Sequence, residues 1–321
     1  MSIISTVICS SFFIFCILFL GTLSGIFSER AGIVNIAING FIIFGATMYA
    51  LITYIFTDKF GNQTAISPWW QILTSPLAAL LTGAFAMVFG YTTIKLKSDQ
   101  TISGFAMNVL VAGIALLIFL SIRSAQGEGH VVSFRKTNEL AIGKSFTNIS
   151  NLISYKTFVV IAIGIAAFFA LKFTRWGVRF RSVGENPQAS DVAGINVLRM
   201  KWQGIFISGF IAGMAGAIYS QIRIDTVSTT GDVQGLGFLA LAIMITSQWK
   251  VHWAALISLM FSLLYGFSYY GITSIQALNN LKIRELFYTL PFLTTLVIMI
   301  FTSKRSFGPA AAGIPYDKSQ R

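Results

Sequence analysis

The segment that decides the fold is residues 29–50, ERAGIVNIAINGFIIFGATMYA. It begins with a glutamate–arginine pair and then stays apolar for long enough to enter a bilayer, yet this apolar run contains Asn35 and Asn39. The two amides share one face if the segment is helical there, because they are four residues apart. Gly32 and Gly40 bracket them and would let the helix start late or unwind. Because an amide in lipid costs free energy unless it is hydrogen-bonded, we expect these side chains either to line a polar path or to hydrogen-bond between helices.

The composition is that of a membrane protein. The 321 residues are 55% hydrophobic and 11% charged, with a mean hydropathy of +0.74, whereas soluble domains carry roughly 25% charged residues. A helix needs roughly 20 mostly apolar residues to cross the bilayer. Candidate spans are residues 3–27, 36–56, 73–94, 102–122, 157–173, 203–222, 236–249, 251–271 and 286–302. The predicted fold is an all-α, polytopic membrane helix bundle of about nine or ten transmembrane helices, with the short run at 236–249 re-entrant or broken.

The net charge of +12 fits a topology with the N-terminus outside. If the spans alternate, the basic residues concentrate in the short loops on the inner side, as the positive-inside rule requires. The polar loop at 123–156 then lies outside, whereas the loop at 174–201 and the C-terminus lie in the cytoplasm. No separate basic face is left over, so we expect no nucleic acid partner.

No group of residues predicts catalysis or metal binding. The only histidines, His130 and His252, fall on opposite sides in this topology. The sequence Gly-Lys-Ser at 143–145 ends like a phosphate-binding loop, but Asn138 stands where that loop needs a glycine. We therefore expect no enzyme activity, no metal site and no cofactor in this chain.

The inner loop contains strong helix-end signals within SVGENPQASDVAGIN. Asn186 is a good N-cap and Pro187 suits the first helical position. Glu185 would lie at the positive end of the helix dipole, and Gly194 would end the helix about two turns later. The sequence predicts a short helix at roughly 187–193, which serves either as an ordinary connection or as a docking surface.

One span carries closely spaced glycines. Gly209 and Gly213 form a G-x-x-x-G pair, with Gly216 nearly one turn further on. Small residues at this spacing let two helix backbones approach closely. We therefore expect tight packing of this helix inside the subunit rather than a ligand site.

Five segments, in order along the chain, resemble a known family. They are SERAGIVNIAINGFIIFGA (28–46), SDQTISGFAMN (98–108), GVRFRSVGENPQASDVAGINV (177–197), ISGFIAGMAGAIY (207–219) and AAAGIPY (310–316). Together they are similar to the nucleoside-type permease subunits of bacterial ABC importers, which are related to the ribose and branched-chain amino-acid permeases. The resemblance covers essentially the full chain.

The resemblance implies a multi-pass subunit of the cell membrane, with one transmembrane permease domain over 1–303 and a cytoplasmic tail over 304–321. Separate ATPase subunits would bind ATP and Mg²⁺, and the loop at 174–201 would dock onto them. The implied further partners are a second permease subunit, either a paralogue or another copy, and an extracellular substrate-binding lipoprotein. The docking residues carried over by motif are Gly184, Glu185, Asn186, Pro187, Ala189, Asp191 and Gly194.

The substrate path is assigned to Asn35, Asn39 and Asn108, and the implied cargo is a nucleoside. Members of this family commonly have an acidic residue where this chain has Asn39. The alternatives are a permease for ribose or another simple sugar and, from a different class, an ion-coupled secondary transporter or an integral-membrane enzyme. Proton coupling would require an ionisable group in the middle of a span. No predicted span has a central aspartate or glutamate, since Asp225, Asp232 and Glu285 lie near span ends, which argues against proton coupling but not against sodium coupling.

Overall fold

The computed structural model describes residues 3–56, 68–126, 140–142, 149–271, 287–302 and 308–317. Within these ranges the chain is helical with no strand, which confirms the predicted all-α class. The helices are α1 (Ile3–Arg30), α2 (Ile38–Tyr54), α3 (Gln71–Gly90), α4 (Gln100–Gln126), α5 (Tyr155–Phe173), α6 (Arg175–Glu185), α7 (Pro187–Val192), α8 (Val197–Thr230), α9 (Leu236–Thr246), α10 (Val251–Gly266) and α11 (Leu290–Thr302).

Six of the described helices are long and apolar enough to cross a membrane, namely α1, α3, α4, α5, α8 and α10. Three shorter apolar helices are α2, α9 and α11. Each of these nine helices falls on one predicted span, which confirms a polytopic bundle. The 11 residues of α9 extend only about 16 Å at 1.5 Å per residue, about half the thickness of the hydrocarbon layer.

The centre of the bundle is formed by α1, α2 and the middle of α8, where most side chains are buried. Phe13, Phe41 and Tyr219, one from each of these helices, are completely buried. The outer helices instead expose apolar side chains, such as Val109 on α4 and Phe158 on α5. Such side chains face outward because lipid, rather than water, is the solvent around a membrane bundle.

Glycines set the distance between α8 and its neighbours. A β-carbon on Gly45 of α2 would lie 2.5 Å from the α-carbon of Gly213 on α8. A β-carbon on Gly216 would overlap the carbonyl oxygen of Ile42, and one on Gly209 would overlap Ala86 of α3. The predicted close packing of this span is therefore confirmed, and it joins α8 to both α2 and α3.

The chain turns back into the bundle after α8. Arg223 departs from helical geometry (φ −120°, ψ 30°) and bends the helix. Ser220, just before the bend, donates a hydrogen bond to the carbonyl oxygen of Ala46, whereas Asp232, beyond it, accepts one from Asn39. These two partners are seven residues apart on α2, or about 10 Å. The chain therefore turns back toward the start of α2 before α9 begins, and the re-entrant or broken character of the run at 236–249 stays a prediction.

Candidate functional site

The loop at 174–201 folds into α6, α7 and the first turn of α8. The side chain of Asn186 caps α7 by accepting a hydrogen bond from the Ala189 amide at 3.0 Å. Pro187 is the first residue of α7 and Gly194 follows the helix with a φ of +81°. The predicted capped helix is confirmed. Helix α6 was not predicted; the available signal was the apolar spacing of Trp176, Phe180 and Val183 on one face of an otherwise polar stretch.

The seven predicted docking residues divide into two groups. Gly184 and Pro187 are buried inside this chain. The other five are exposed or half-buried, and they are Glu185, Asn186, Ala189, Asp191 and Gly194. Val192 at the end of α7 is 77% exposed and was missed by the sequence analysis. An apolar side chain so exposed on a polar loop is typical of a contact surface.

Glu185 connects the loop to two other parts of the chain. Its Oε1 lies 3.3 Å from Nη1 of Arg30, at the end of α1. Its Oε2 accepts a hydrogen bond from the amide of Ala310 at 3.3 Å. The sequence analysis placed this carboxylate at the dipole of α7. In the structure Glu185 ends α6 and directly precedes Asn186, the N-cap of α7, so it lies at that helix end and contacts Arg30 and the C-terminal segment as well.

Trp249, in the turn after α9, completes this contact. Its indole Nε1 donates to Oε2 of Glu29 at 2.6 Å, and its carbonyl oxygen accepts from Nη2 of Arg30 at 3.4 Å. Gln248 and Trp249 have positive φ angles of 54° and 55°, a strained conformation for residues other than glycine. We call Glu29, Arg30, Glu185 and Trp249 the loop junction, since they join α1, α6 and the end of α9.

Asn35 lies before α2 rather than on it. Its Oδ1 accepts a hydrogen bond from the amide of Ala37 at 3.0 Å, and its Nδ2 donates to the hydroxyl of Ser208 on α8 at 3.0 Å. That hydroxyl lies 2.9 Å from the hydroxyl of Ser24 on α1. Because α2 begins at residue 38, Asn35 and Asn39 do not share a helix face. Asn35 instead ties the unwound residues before α2 to α1 and α8.

Asn39 lies where the first turns of α2 and α9 meet. Its Oδ1 accepts a hydrogen bond from the amide of Gly237 at 3.1 Å, and its Nδ2 donates to Oδ1 of Asp232 at 3.0 Å. The other carboxylate oxygen of Asp232 accepts from the amide of Gly235 at 3.1 Å. A β-carbon on Gly237 would overlap the backbone of Asn39. We call Asn39, Asp232 and Gly237 the half-helix junction.

Asn108 on α4 supports the start of α2 from the other side. Its Oδ1 accepts a hydrogen bond from the amide of Gly40 at 2.7 Å, and its Nδ2 donates to the carbonyl oxygen of Ile36 at 3.0 Å. Gln100, two turns earlier on α4, accepts from the amide of Val34 at 2.7 Å. Because α2 begins only at residue 38, the backbone groups of Val34, Ile36 and Gly40 need other partners, and side chains of α4 supply them.

The two junctions are connected by α9. Its first turn contacts Asn39 at the half-helix junction, and the turn after its last residue carries Trp249 at the loop junction. The predicted path residues Asn39 and Asn108 converge on the first turn of α2, with Asn35 close by, while the predicted docking residues lie at the other end of α9. Among the described residues no group of three or more histidine, cysteine, aspartate or glutamate side chains could hold a metal ion.

The chain is similar to known transport proteins. Residues 7–299 match the family described as "Branched-chain amino acid transport system / permease component". The chain is 32% identical to the nucleoside ABC transporter permease protein NupC of Lactococcus lactis, over 93% of this chain and 92% of the relative. It is 34% identical to the guanosine ABC transporter permease protein NupQ of Bacillus subtilis, over 95% of this chain and 94% of the relative. No solved structure matches the chain significantly.

Proposed function

We propose, starting from the fact that this chain belongs to the family of branched-chain amino acid transport system permease components, that it is the membrane-spanning subunit of an ABC importer whose cargo is a nucleoside. It is a transport component rather than an enzyme. The observation that carries the choice of cargo is the full-length similarity to permeases named for nucleoside and for guanosine. A simple sugar such as ribose remains the second candidate of the same class.

The exposed face of α7 is the proposed docking surface for an ATPase subunit, which would hold ATP and Mg²⁺. Three observations support this: α7 is rigidly capped by Asn186, Val192 is strongly exposed, and Glu185 links the loop to α1. A rigid short helix transmits a displacement better than an unordered loop does, because its backbone contacts move together.

The C-terminal segment is proposed to lie in the cytoplasm. The amide of Ala311 donates to the carbonyl oxygen of Gly184 at 2.9 Å, so residues 308–317 lie on the same side of the bundle as the loop. Asp317 also pairs with Lys97 at 2.9 Å. If α7 docks onto a cytoplasmic ATPase, this segment is cytoplasmic too. A second permease subunit and an extracellular substrate-binding lipoprotein complete the proposed importer.

Helix α9 is proposed to couple the ATPase to the substrate path. A movement of α7 would displace Glu185 and, through it, Arg30, which contacts the carbonyl oxygen of Trp249 at the end of α9. The other end of α9 contacts Asn39, where the positive N-terminal ends of α2 and α9 meet. Many transporters form their substrate sites from such broken helices. In this proposal Asn35, Asn39 and Asn108 border the path and brace the helix ends that form it.

The test of the cargo is uptake of labelled nucleosides by cells with and without this chain, with free ribose and free bases as competitors. We expect deletion to abolish nucleoside uptake, and we expect unlabelled nucleoside, but not ribose, to compete. Loss of ribose uptake with unchanged nucleoside uptake would assign the chain to the sugar transporters instead.

A further inference from the structure

A groove opens on the outer surface of the bundle between α5 and α10. Phe15 and Phe19 of the central helix α1 lie at its inner side, with their rings stacked at 5.6 Å and 5°. Its volume is about 390 Å³, which is within the range of about 300–1,000 Å³ that is usual for ligand sites. Apart from His252, the described residues that line it are apolar. We call it the α5–α10 groove.

A glycine brings one wall of the groove against α1. A β-carbon on Gly164 of α5 would lie 2.8 Å from Cε1 of Phe19, so α5 can approach this closely only because residue 164 has no side chain. Around this contact Ile161, Ile165 and Phe169 line the groove, and each is more than half exposed. The groove is therefore open to the outside, where the solvent of a membrane bundle is hydrocarbon rather than water.

A lysine and a histidine stand at one end of the groove. Nζ of Lys172 lies 5.1 Å from the centroid of the Phe168 ring, and the imidazole of His252 packs edge-on against the same ring at 6.4 Å. Since Phe168 lines the groove, both polar groups are next to it. Lys172 is one residue before the end of α5 and His252 is the second residue of α10, so this end lies at the level where both helices meet the membrane surface.

No acidic residue near this end balances its positive charge. The sequence has no aspartate or glutamate in 155–184 or in 233–271. The two carboxylates of the neighbouring loop junction already have partners within it. Arg175 and Lys250 flank the same helix ends and are exposed. We call Lys172, Lys250 and His252 the basic rim of the groove.

The groove and its basic rim together match the chemistry of an anionic phospholipid. A basic side chain at the end of a membrane helix is common by itself, because it reaches the surface from there. Here, however, Lys172 is one helical turn from Phe168, or about 6 Å along the axis, and so adjoins the groove. Basic pockets between membrane helices bind the head groups of anionic lipids. The apolar groove accepts an acyl chain, while the rim offers an ammonium group and a ring N–H to the phosphate.

We propose that the α5–α10 groove is a binding site for an anionic phospholipid, with one acyl chain in the groove and the head-group phosphate at Lys172 and His252. The inference goes beyond the proposed function, because it depends on the chain crossing a membrane and not on its cargo. A lipid bound here joins α5, which leads into the docking loop, to α10, which begins two residues after Trp249 of the loop junction. Anionic lipid therefore stabilises the end of the bundle that carries the loop.

The test is photolabelling of the complete importer in phosphatidylcholine nanodiscs. The probe is a trace of phosphatidylglycerol with a diazirine on one acyl chain, and mass spectrometry maps the labelled residues. We expect label on groove residues such as Ile165 and Ala255. Replacing part of the phosphatidylcholine by unlabelled phosphatidylglycerol should remove this label, whereas zwitterionic phosphatidylethanolamine should not. Soluble glycerol phosphate should not remove it either, because it has no acyl chain to occupy the groove.

Two pairs of variants separate the charge from the groove. Lys172→Gln should lower the groove label about fivefold, the usual effect of one basic residue on binding to anionic lipid. Lys95→Gln, at an exposed lysine beyond the end of α3, is its matched control and should change nothing. Ala255→Phe fills the groove and should remove the label with the rim intact. Its control is Ala166→Phe, at an exposed position of α5 outside the lining.

Two outcomes would overturn the inference. Groove label that falls equally with phosphatidylglycerol and phosphatidylethanolamine would show that the groove holds bulk lipid without selection. Absence of label from the groove, with cross-links from it to the second permease subunit, would show a subunit contact instead. If Lys172→Gln lowers the amount of folded importer, the competition on the unmodified chain still decides. Neither outcome affects the proposed function, which nucleoside uptake tests separately.

Discussion

The indole nitrogen of Trp249 donates a hydrogen bond of 2.6 Å to the buried carboxylate of Glu29, although the two residues are 220 positions apart. The carbonyl oxygen of the same tryptophan accepts a hydrogen bond from the side chain of Arg30, the residue after Glu29. The charged pair at the end of α1 therefore holds the turn that ends α9. In the proposed function this contact is the end of the coupling path that lies nearest the ATPase.

Trp249→Phe tests that contact. The substitution keeps an aromatic ring but removes the donor, so a buried carboxylate loses its partner, which costs about 2 kcal/mol. We expect lower thermal stability and a lower uptake rate per molecule in the membrane. Trp253→Phe is the matched control, because Trp253 is 48% exposed and should tolerate the change. Equal uptake rates for the two variants would show that the contact has no part in coupling.

Asn39→Asp tests the half-helix junction. The new carboxylate would face that of Asp232 at about the 3.0 Å of the present hydrogen bond, and two carboxylates so close cannot both ionise without a large cost. We expect uptake to fall strongly. Combining Asn39→Asp with Asp232→Asn reverses the pair and restores a donor and an acceptor at each position, so uptake should recover. A double variant no better than the single one would contradict the pairing.

Gly237→Ala tests how closely α2 and α9 approach. A β-carbon at this position would overlap the backbone of Asn39, and overpacking of this kind costs about 1–3 kcal/mol. We expect less folded protein in the membrane. Gly113→Ala on α4 is the control, since a β-carbon there has no neighbour within 4 Å and alanine is the better helix former by about 1 kcal/mol. A normal yield of the Gly237 variant would refute the close approach.

Val192→Asp tests the proposed docking surface. Val192 is 77% exposed, so a charge there should not disturb the fold of this chain. If α7 inserts into the ATPase, burying this charge would weaken the contact by about 1.4 kcal/mol or more, which is at least about tenfold in affinity. Co-purification of the two subunits measures the effect, with Val192→Ile as a control that keeps the contact. Unchanged co-purification of the aspartate variant would exclude this face.

The apolar helices, the short helix α7 and the close packing of α8 could be predicted from local sequence signals. The nine apolar segments were found because lipid demands long apolar runs, and α7 was found because Asn186, Pro187 and Gly194 are local signals. Gly209 and Gly213 indicated close packing correctly, since the spacing of small residues suffices to predict it. The glycine spacing could not show that α2 and α3 are the helices that pack against α8.

The contacts between distant segments could not be predicted. Nothing near Asn39 in the sequence indicates that its partner is Asp232, 193 positions away. The position of Glu185 before α7 is a local signal, but nothing near it in the sequence indicates that its carboxylate contacts Arg30, 155 positions away. Asn35 and Asn39 were expected to share a face only if the segment was helical, and the late start of α2 depends on side chains of α4, which lie far along the chain.

The most direct test of the central claim is to reconstitute the complete importer in liposomes and to measure accumulation of labelled nucleoside. The account predicts accumulation only when ATP and Mg²⁺ are supplied on the side of α7, with ribose unable to compete. Accumulation driven by an ion gradient without ATP, or ATP-driven transport of ribose but not of nucleosides, would contradict it.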